Sequence, residues 1–238
     1  MKLKLCTIIL LTLVFSSCML PTVTGSGNLV TRELAYTDFT RIEGNDVMQI
    51  TIVYGGSFSV SVTADDNIID DYFLAEQYTE TLAFSLEGPY SFQNITIEIT
   101  VQMPELDSID LEDVAMASIS GFVSDSDFSA ELSDASSLDG TILCGSGELE
   151  LNLADASQLN LVGSAQAMQL NMTDAASAHL SSFTVPDADC TMSGATHAYI
   201  SCGDTISIYL DDASRLYNNQ NPSIISSHIS TAADYIVQ

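Results

Sequence analysis

Leu132-Ser133-Asp134-Ala135-Ser136-Ser137-Leu138 is a phrase that recurs along the second half of the chain. It returns as Leu153-Ala154-Asp155-Ala156-Ser157-Gln158-Leu159 and as Met172-Thr173-Asp174-Ala175-Ala176-Ser177-Ala178-His179-Leu180. A looser copy is Met192-Ser193-Gly194-Ala195-Thr196-His197-Ala198-Tyr199, and the last full one is Leu210-Asp211-Asp212-Ala213-Ser214-Arg215-Leu216-Tyr217. Taken at the alanine of each Ala-Ser or Ala-Thr step, the copies fall at 135, 156, 176, 195 and 213, spacings of 21, 20, 19 and 18 residues. A period near 20 predicts a solenoid, because one turn of short strands cannot bury its own apolar face and must stack on the next. Small residues at equivalent places permit tight corners. The polar Asp or Ser beside them is expected to bond corner amides.

Between the phrases lie short alternating runs such as Glu148-Leu149-Glu150-Leu151-Asn152-Leu153 and Met168-Gln169-Leu170-Asn171-Met172. Their apolar period is two, which argues strand and not helix. The fold expected is all-β: a β-helix-like solenoid of short strands with a repeat of about 20 residues.

Upstream of residue 106 the texture is more sheet-like. Ile95, Ile97, Ile99, Val101 and Met103 alternate with Thr96, Glu98, Thr100 and Gln102 until Pro104. Val47–Tyr54 and Ser57–Thr63, separated by Gly55-Gly56, read as a hairpin. Asp65-Asp66-Asn67 opens a segment that reads as a short helix or a turn. No Pro/Gly-rich linker divides the two halves, so residues 34–238 are expected to form one β-helical domain.

The chain begins Met1-Lys2-Leu3-Lys4, and an apolar run follows from Leu5 to Phe15. That is the plan of a secretory signal peptide, too short to span a bilayer. Val14-Phe15-Ser16-Ser17-Cys18 resembles a bacterial lipoprotein signal, with residues 1–17 removed and Cys18 lipidated. Acyl chains worth about 0.8 kcal/mol per buried CH₂ would tie the chain to a lipid bilayer through Cys18. Residues 18–33 read as a tether, and the cell outer membrane is the expected location.

Both lysines leave with the signal. Arg32, Arg41 and Arg215 then face 32 acidic residues, a net charge of about −29. Such a surface repels phosphate backbones and excludes nucleic acid as a partner. A hydrophobic content of 46% with clear alternation argues against disorder. Cys144, Cys190 and Cys202 cannot all pair; they read as buried thiols, with a Cys190–Cys202 bridge as the alternative.

The recurring phrase resembles that of the auto-transporter adhesin head domain family, also called the head GIN domain, common among lipoproteins of Bacteroidetes. Ser193-Gly194-Ala195-Thr196 is nearest to the family's Ser-Gly-Ala-Ser phrase, and the other copies carry Asp at or beside the glycine. The family's opening is matched by Phe39-Thr40-Arg41-Ile42-Glu43-Gly44-Asn45-Asp46-Val47. Tyr217-Asn218-Asn219-Gln220-Asn221-Pro222 and the closing Ile225–Ala232 match its ending. The likeness covers about residues 39–236 and implies a β-helix-like fold.

No residue is assigned to catalysis, to a metal or to a cofactor. His179 and His197 fall on neighbouring positions if each is counted from its own repeat, and so face opposite ways. Asp134, Asp155, Asp174 and Asp212 recur in four of the five copies, which fits corner architecture better than one active site. Gly145-Ser146-Gly147 lacks the Gly-x-Ser-x-Gly elbow of serine hydrolases. Asp65, Asp66, Asn67, Asp70 and Asp71, or Asp125 and Asp127, offer oxygens suited to calcium but not at EF-hand spacing. Tyr199, Tyr209 and Tyr217 are the rings a sugar-acting enzyme would use for stacking. The function expected is an envelope-anchored, non-catalytic module with a glycan or protein ligand. A carbohydrate-active enzyme or a calcium-stabilised module is the alternative.

Overall fold

The structure is a computed structural model and describes residues 20–238. Residues 1–17, read as a signal peptide, and Cys18 lie outside the described residues. Over residues 41–54, and again from residue 108 onward, the chain winds in coils of two strands each. Arg41–Gly44 and Gln49–Tyr54 form the first coil. Ser108–Leu111 with Met116–Val123, Phe128–Leu132 with Ser137–Leu143, and Glu148–Leu153 with Gln158–Ser164 form the next three. Ala167–Met172 leads into Ser177–Met192, a long bent strand that closes one coil and opens the next, and His197–Leu210 repeats this. Arg215–Asn218 ends that coil, and Ser223–Ile229 with Asp234–Val237 make the last.

Successive coils pair in parallel, first strand on first strand and second on second. The period-two pattern turns alternate side chains inward. Ile42, Ile109, Ala130, Leu151, Leu170, Cys190 and Ile208 thus form one buried column. Leu111, Leu132, Leu153, Met172, Met192 and Leu210 form another. The stack is the β-solenoid of short strands that the repeat predicts.

The corners explain the recurring aspartates. Asp46, Asp113, Asp134, Asp155, Asp174, Gly194 and Asp212 all sit at positive φ, between 54° and 77°. Glycine is free to adopt this conformation, and aspartate is among the few other residues that tolerate it. The next amide donates to the corner carbonyl one coil back: Ala135 N–H to Asp113 O at 2.7 Å, Ala156 to Asp134 at 2.8 Å, Ala175 to Asp155 at 2.8 Å.

Two details differ from the sequence reading. The third copy is counted one residue late: Ala175, not Ala176, is equivalent to Ala135, and Ala176 takes the buried place that serine or threonine fills elsewhere. The corner hydroxyls also do not bond amides. Ser136, Ser157, Thr196 and Ser214 point inward, fully buried, with no hydrogen-bond partner. The corner amides are satisfied by backbone carbonyls of the preceding coil, so no hydroxyl is needed.

The solenoid begins earlier than the repeat suggests. Arg41–Tyr54 is already a full coil, with Asp46 at its corner. Beneath it, Thr81–Leu86 pairs with Arg41–Gly44, and Ile97–Met103 pairs with Gln49–Tyr54. Antiparallel strands complete this end: Phe73–Tyr78 on Thr81–Leu86, Ser59–Asp65 on Ile97–Met103, and Leu29–Leu34 on Ser59–Asp65. Helix Asp66–Asp71 closes it with buried Ile68 and Ile69. The stretch read as a tether, residues 18–33, holds strand Thr22–Thr24 and all but the last residue of strand Leu29–Leu34; the former pairs with Ser91–Gln93.

The expected hairpin across Gly55-Gly56 does not form. Ile97–Met103 is inserted between its two arms, parallel to one and antiparallel to the other. That strand carries an unbroken inward row of Ile97, Ile99, Val101 and Met103 and extends the wall of the stack. The long-range match outweighs the local reversal.

Candidate functional site

Of the acids proposed for calcium, Asp65, Asp66, Asp70, Asp125 and Asp127 are occupied in holding the fold. Asp65 accepts from Gly27 N–H at 2.6 Å and Thr96 N–H at 2.8 Å. Asp66 accepts from the Ser26 hydroxyl and the Asn28 amide, which hold its carboxyl below the usual range. Asp70 pairs with Arg32. Together these bonds clamp the incoming chain to the helix. Asp125 accepts from Ser146 N–H at 3.3 Å and Asp127 from Glu148 N–H at 2.8 Å, each reaching the turn of the next coil. A Cβ on Gly147 would lie 2.1 Å from Ser126 O. The glycines around Ser146 therefore serve close stacking of turns. Among the described residues, no three His, Cys, Asp or Glu side chains are grouped to hold a metal ion.

The outer side of the first face carries an acidic column. Glu43, Asp110 and Glu131 occupy the same place on successive coils, and Asn152, Asn171, Thr191, Tyr209 and His228 continue it. Burial, followed by the charges of Glu131, Glu112 and Glu43, pushes the Asp110 carboxyl up to about 6. Tyr78 donates its hydroxyl to Glu43. Asn171 donates to Asn152 at 2.9 Å. Two adjoining hollows of about 450 and 240 Å³ lie beside this column, and Arg41 lines both.

On the second face, Asp139, Asn160, His179, Tyr199 and Tyr217 line up, each five residues beyond its coil's corner. Asn160 donates to Asp139 at 2.9 Å. His179 stacks on Tyr199 at 5.2 Å, and Tyr199 on Tyr217 at 4.7 Å, with planes within 9° of parallel. Beside them run His197, Arg215 and Asp234, with Arg215 3.4 Å from His197 and 3.6 Å from Asp234.

This corrects the placement of the histidines. His197 pairs with Ser177, and His179 with Tyr199, so the two occupy positions two residues apart on the same face. The displaced third copy produces the error. Tyr209 stacks on His228 on the other face, at 4.6 Å. All three tyrosines proposed for sugar stacking thus have a ring face covered by a neighbouring coil. Tyr199, stacked on both sides, presents its edge and hydroxyl. The partners Asp139 and Asn160 were not singled out from sequence, although the period counted from the corner aspartates reaches both.

The three thiols are buried and unbridged. Burial, more than any other influence, pushes Cys144 and Cys202 up to about 11, and Cys190 higher still. They are packing groups, not nucleophiles. Cys190 fills the core place that Leu170 and Ile208 fill on adjacent coils.

Residues 38–222 match the family described as "Putative auto-transporter adhesin, head GIN domain". The chain belongs to this family. Its fold is that of a "putative adhesin" from Bacteroides fragilis, 17% identical over 90% of this chain and 98% of that one, with a TM-score of 0.79. A "putative lipid binding protein" from Parabacteroides distasonis is 16% identical over 91% and 99%, TM-score 0.67. A "putative adhesin" from Parabacteroides merdae is 15% identical over 92% and 99%, TM-score 0.65. No curated protein matches the sequence. Among the described residues, no helix of this head GIN domain chain is long and apolar enough to cross a membrane.

Proposed function

We propose that this chain is an envelope-anchored, non-catalytic module that holds a glycan or protein ligand against the outside of its coils. One observation carries the reading. The second face gathers His179, His197 and Arg215 with Tyr199 and Tyr217, in a chain with three histidines and, beyond its signal, three arginines. His179, Tyr199 and Tyr217 continue a column that begins with Asp139 and Asn160 on earlier coils. Ring edges, phenol hydroxyls, a guanidinium and imidazoles offer hydrogen bonds along a rigid strip, the kind of surface that binds without reacting. The adhesin names of several structural relatives agree with it. The lipoprotein-like run ending at Cys18 supplies the anchor, in the outer membrane.

A glycan array beside a turnover assay on the same glycans tests the binding. Retention without turnover, lost in Tyr199→Ala with Arg215→Ala, is expected; turnover abolished by removing a carboxylate overturns it. Labelling with a palmitate analogue is expected to mark the wild type and not Cys18→Ala. An unlabelled wild type overturns the anchor alone.

A further inference from the structure

The inward columns run out at the last coil. Ile206, Ile208 and Leu210 are buried, and their successors on strand Ser223–Ile229 are Ile224, Ser227 and Ile229. Ile224 is 51% exposed and Ile229 43%. On the second face Leu216 and Asn218 are buried, whereas their successors Tyr235 and Val237 are half-buried and 47% exposed. Ile225, extruded by a bulge, is 69% exposed. The stack therefore ends on a slice through its own core. Both strands pair on one side only, so among the described residues each leaves a row of backbone donors and acceptors open. Such edges are where β-structure recruits another chain.

Charge favours one occupant. Residues 220–238 hold a single acid, Asp234, in a chain of net charge −27. Two copies repel along their sides and meet with least charge at this end. We infer that two copies of the chain associate end to end through their last coils, each covering the exposed core of the other.

A two-fold axis across the stack brings the open strands together antiparallel, a pairing sheets readily accept. Ile224, Ile229, Tyr235 and Val237 of one copy then close over those of the other. At the opposite end the edge strands Leu29–Leu34 and Phe73–Tyr78 also pair on one side only, but helix Asp66–Asp71 closes the core there with buried Ile68 and Ile69, so the exposed apolar slice belongs to the last coil. The contact is isologous, the same patch on both copies, and so closes at two. The described chain starts beside that closed end, where Ser91 N–H donates to Pro21 O. With the anchorage proposed above, a pair would carry its lipids at opposite ends and join facing membranes; this consequence rests on that anchorage, the pairing does not.

Sedimentation equilibrium and small-angle X-ray scattering on the unlipidated mature chain, carrying Cys18→Ser, test the pairing. The expected result is a particle of twice the chain mass, nearly doubled in its longest dimension, with the dimer fraction rising as salt screens the charge. Ile224→Glu with Ile229→Glu is expected to give a monomer that keeps its β circular dichroism. Should that variant misfold, Ile225→Asp, on a side chain outside the core, is expected to weaken the dimer at least tenfold. A monomer at every salt concentration, a side-by-side particle, or a dimer indifferent to Ile225→Asp overturns the inference. Glycan binding and palmitate labelling are read separately, so failure here leaves them standing.

Discussion

The two ends of the stack are built from the same coil and finished differently. At the first end the chain leaves the coil after Tyr54, turns back through antiparallel strands, and seals the core with Phe39, Ile68 and Ile69, all buried. A cluster of Tyr72, Tyr90 and Phe92, with ring centroids 5.1 to 6.2 Å apart, packs outside that seal. At the last end no strand among the described residues crosses, and the same kind of inward position leaves Ile224 and Ile229 exposed. Coil geometry alone therefore does not decide whether a solenoid terminates or waits for a neighbour. The route of the chain beyond the coil does.

The contrast can be broken most sharply by truncating one side chain at each end. Ile68→Ala should cost about 2–5 kcal/mol, the range for a fully buried aliphatic. Ile224→Ala should cost the monomer under about 0.5 kcal/mol, as at exposed sites. Urea unfolding of both variants checks this, and equal losses would erase the distinction between the ends.

The coils between the ends should respond alike, since each uses the same corner. Asp155→Val forces a branched side chain into the left-handed region and should cost about 1–2 kcal/mol, while Asp155→Gly should be tolerated. Thermal melts of the pair measure it. At the adjoining inward position, Ser157→Ala removes a buried hydroxyl that has no partner. It should be neutral or stabilising by up to about 1 kcal/mol in the same melts.

The smallest effect concerns charge, which also differs along the stack. The outer column is Glu43, Asp110 and Glu131 near the sealed end, but Tyr209 and His228 near the open one. Asp110 is raised to about 6 in the folded chain. A raised carboxyl binds its proton more tightly when folded, so its contribution is full below about pH 4 and is lost as pH rises through about 6. Melting temperature should climb between pH 7 and pH 5, and Asp110→Asn should flatten that part of the profile. An unchanged slope would remove Asp110 as its cause.

Much of this was legible in the residues. The spacing of the Asp-Ala-Ser phrases gives the coil, the alternation of Leu and Met gives its inner wall, and the recurrence of aspartate identifies an architectural role. The third copy misled because Asp174-Ala175-Ala176-Ser177 offers two alanines; only pairing with the neighbouring coils chooses between them. That one-residue choice moved His179 and His197 from opposite faces to one, and hid the ladder with Tyr199 and Tyr217. The coil at Arg41–Tyr54 escaped notice because its corner reads Asp46-Val47-Met48, without the small residues of the phrase.

The sequence by itself thus determined a stacked β-coil with aspartate corners, because period and left-handed tolerance are local properties of the chain. Tertiary structure alone decided which strand inserts between Gln49–Tyr54 and Ser59–Asp65, which rings stack, and which end stays open. Those outcomes depend on pairings between residues far apart in the chain, where burial of a whole apolar row outweighs the preference of any single turn.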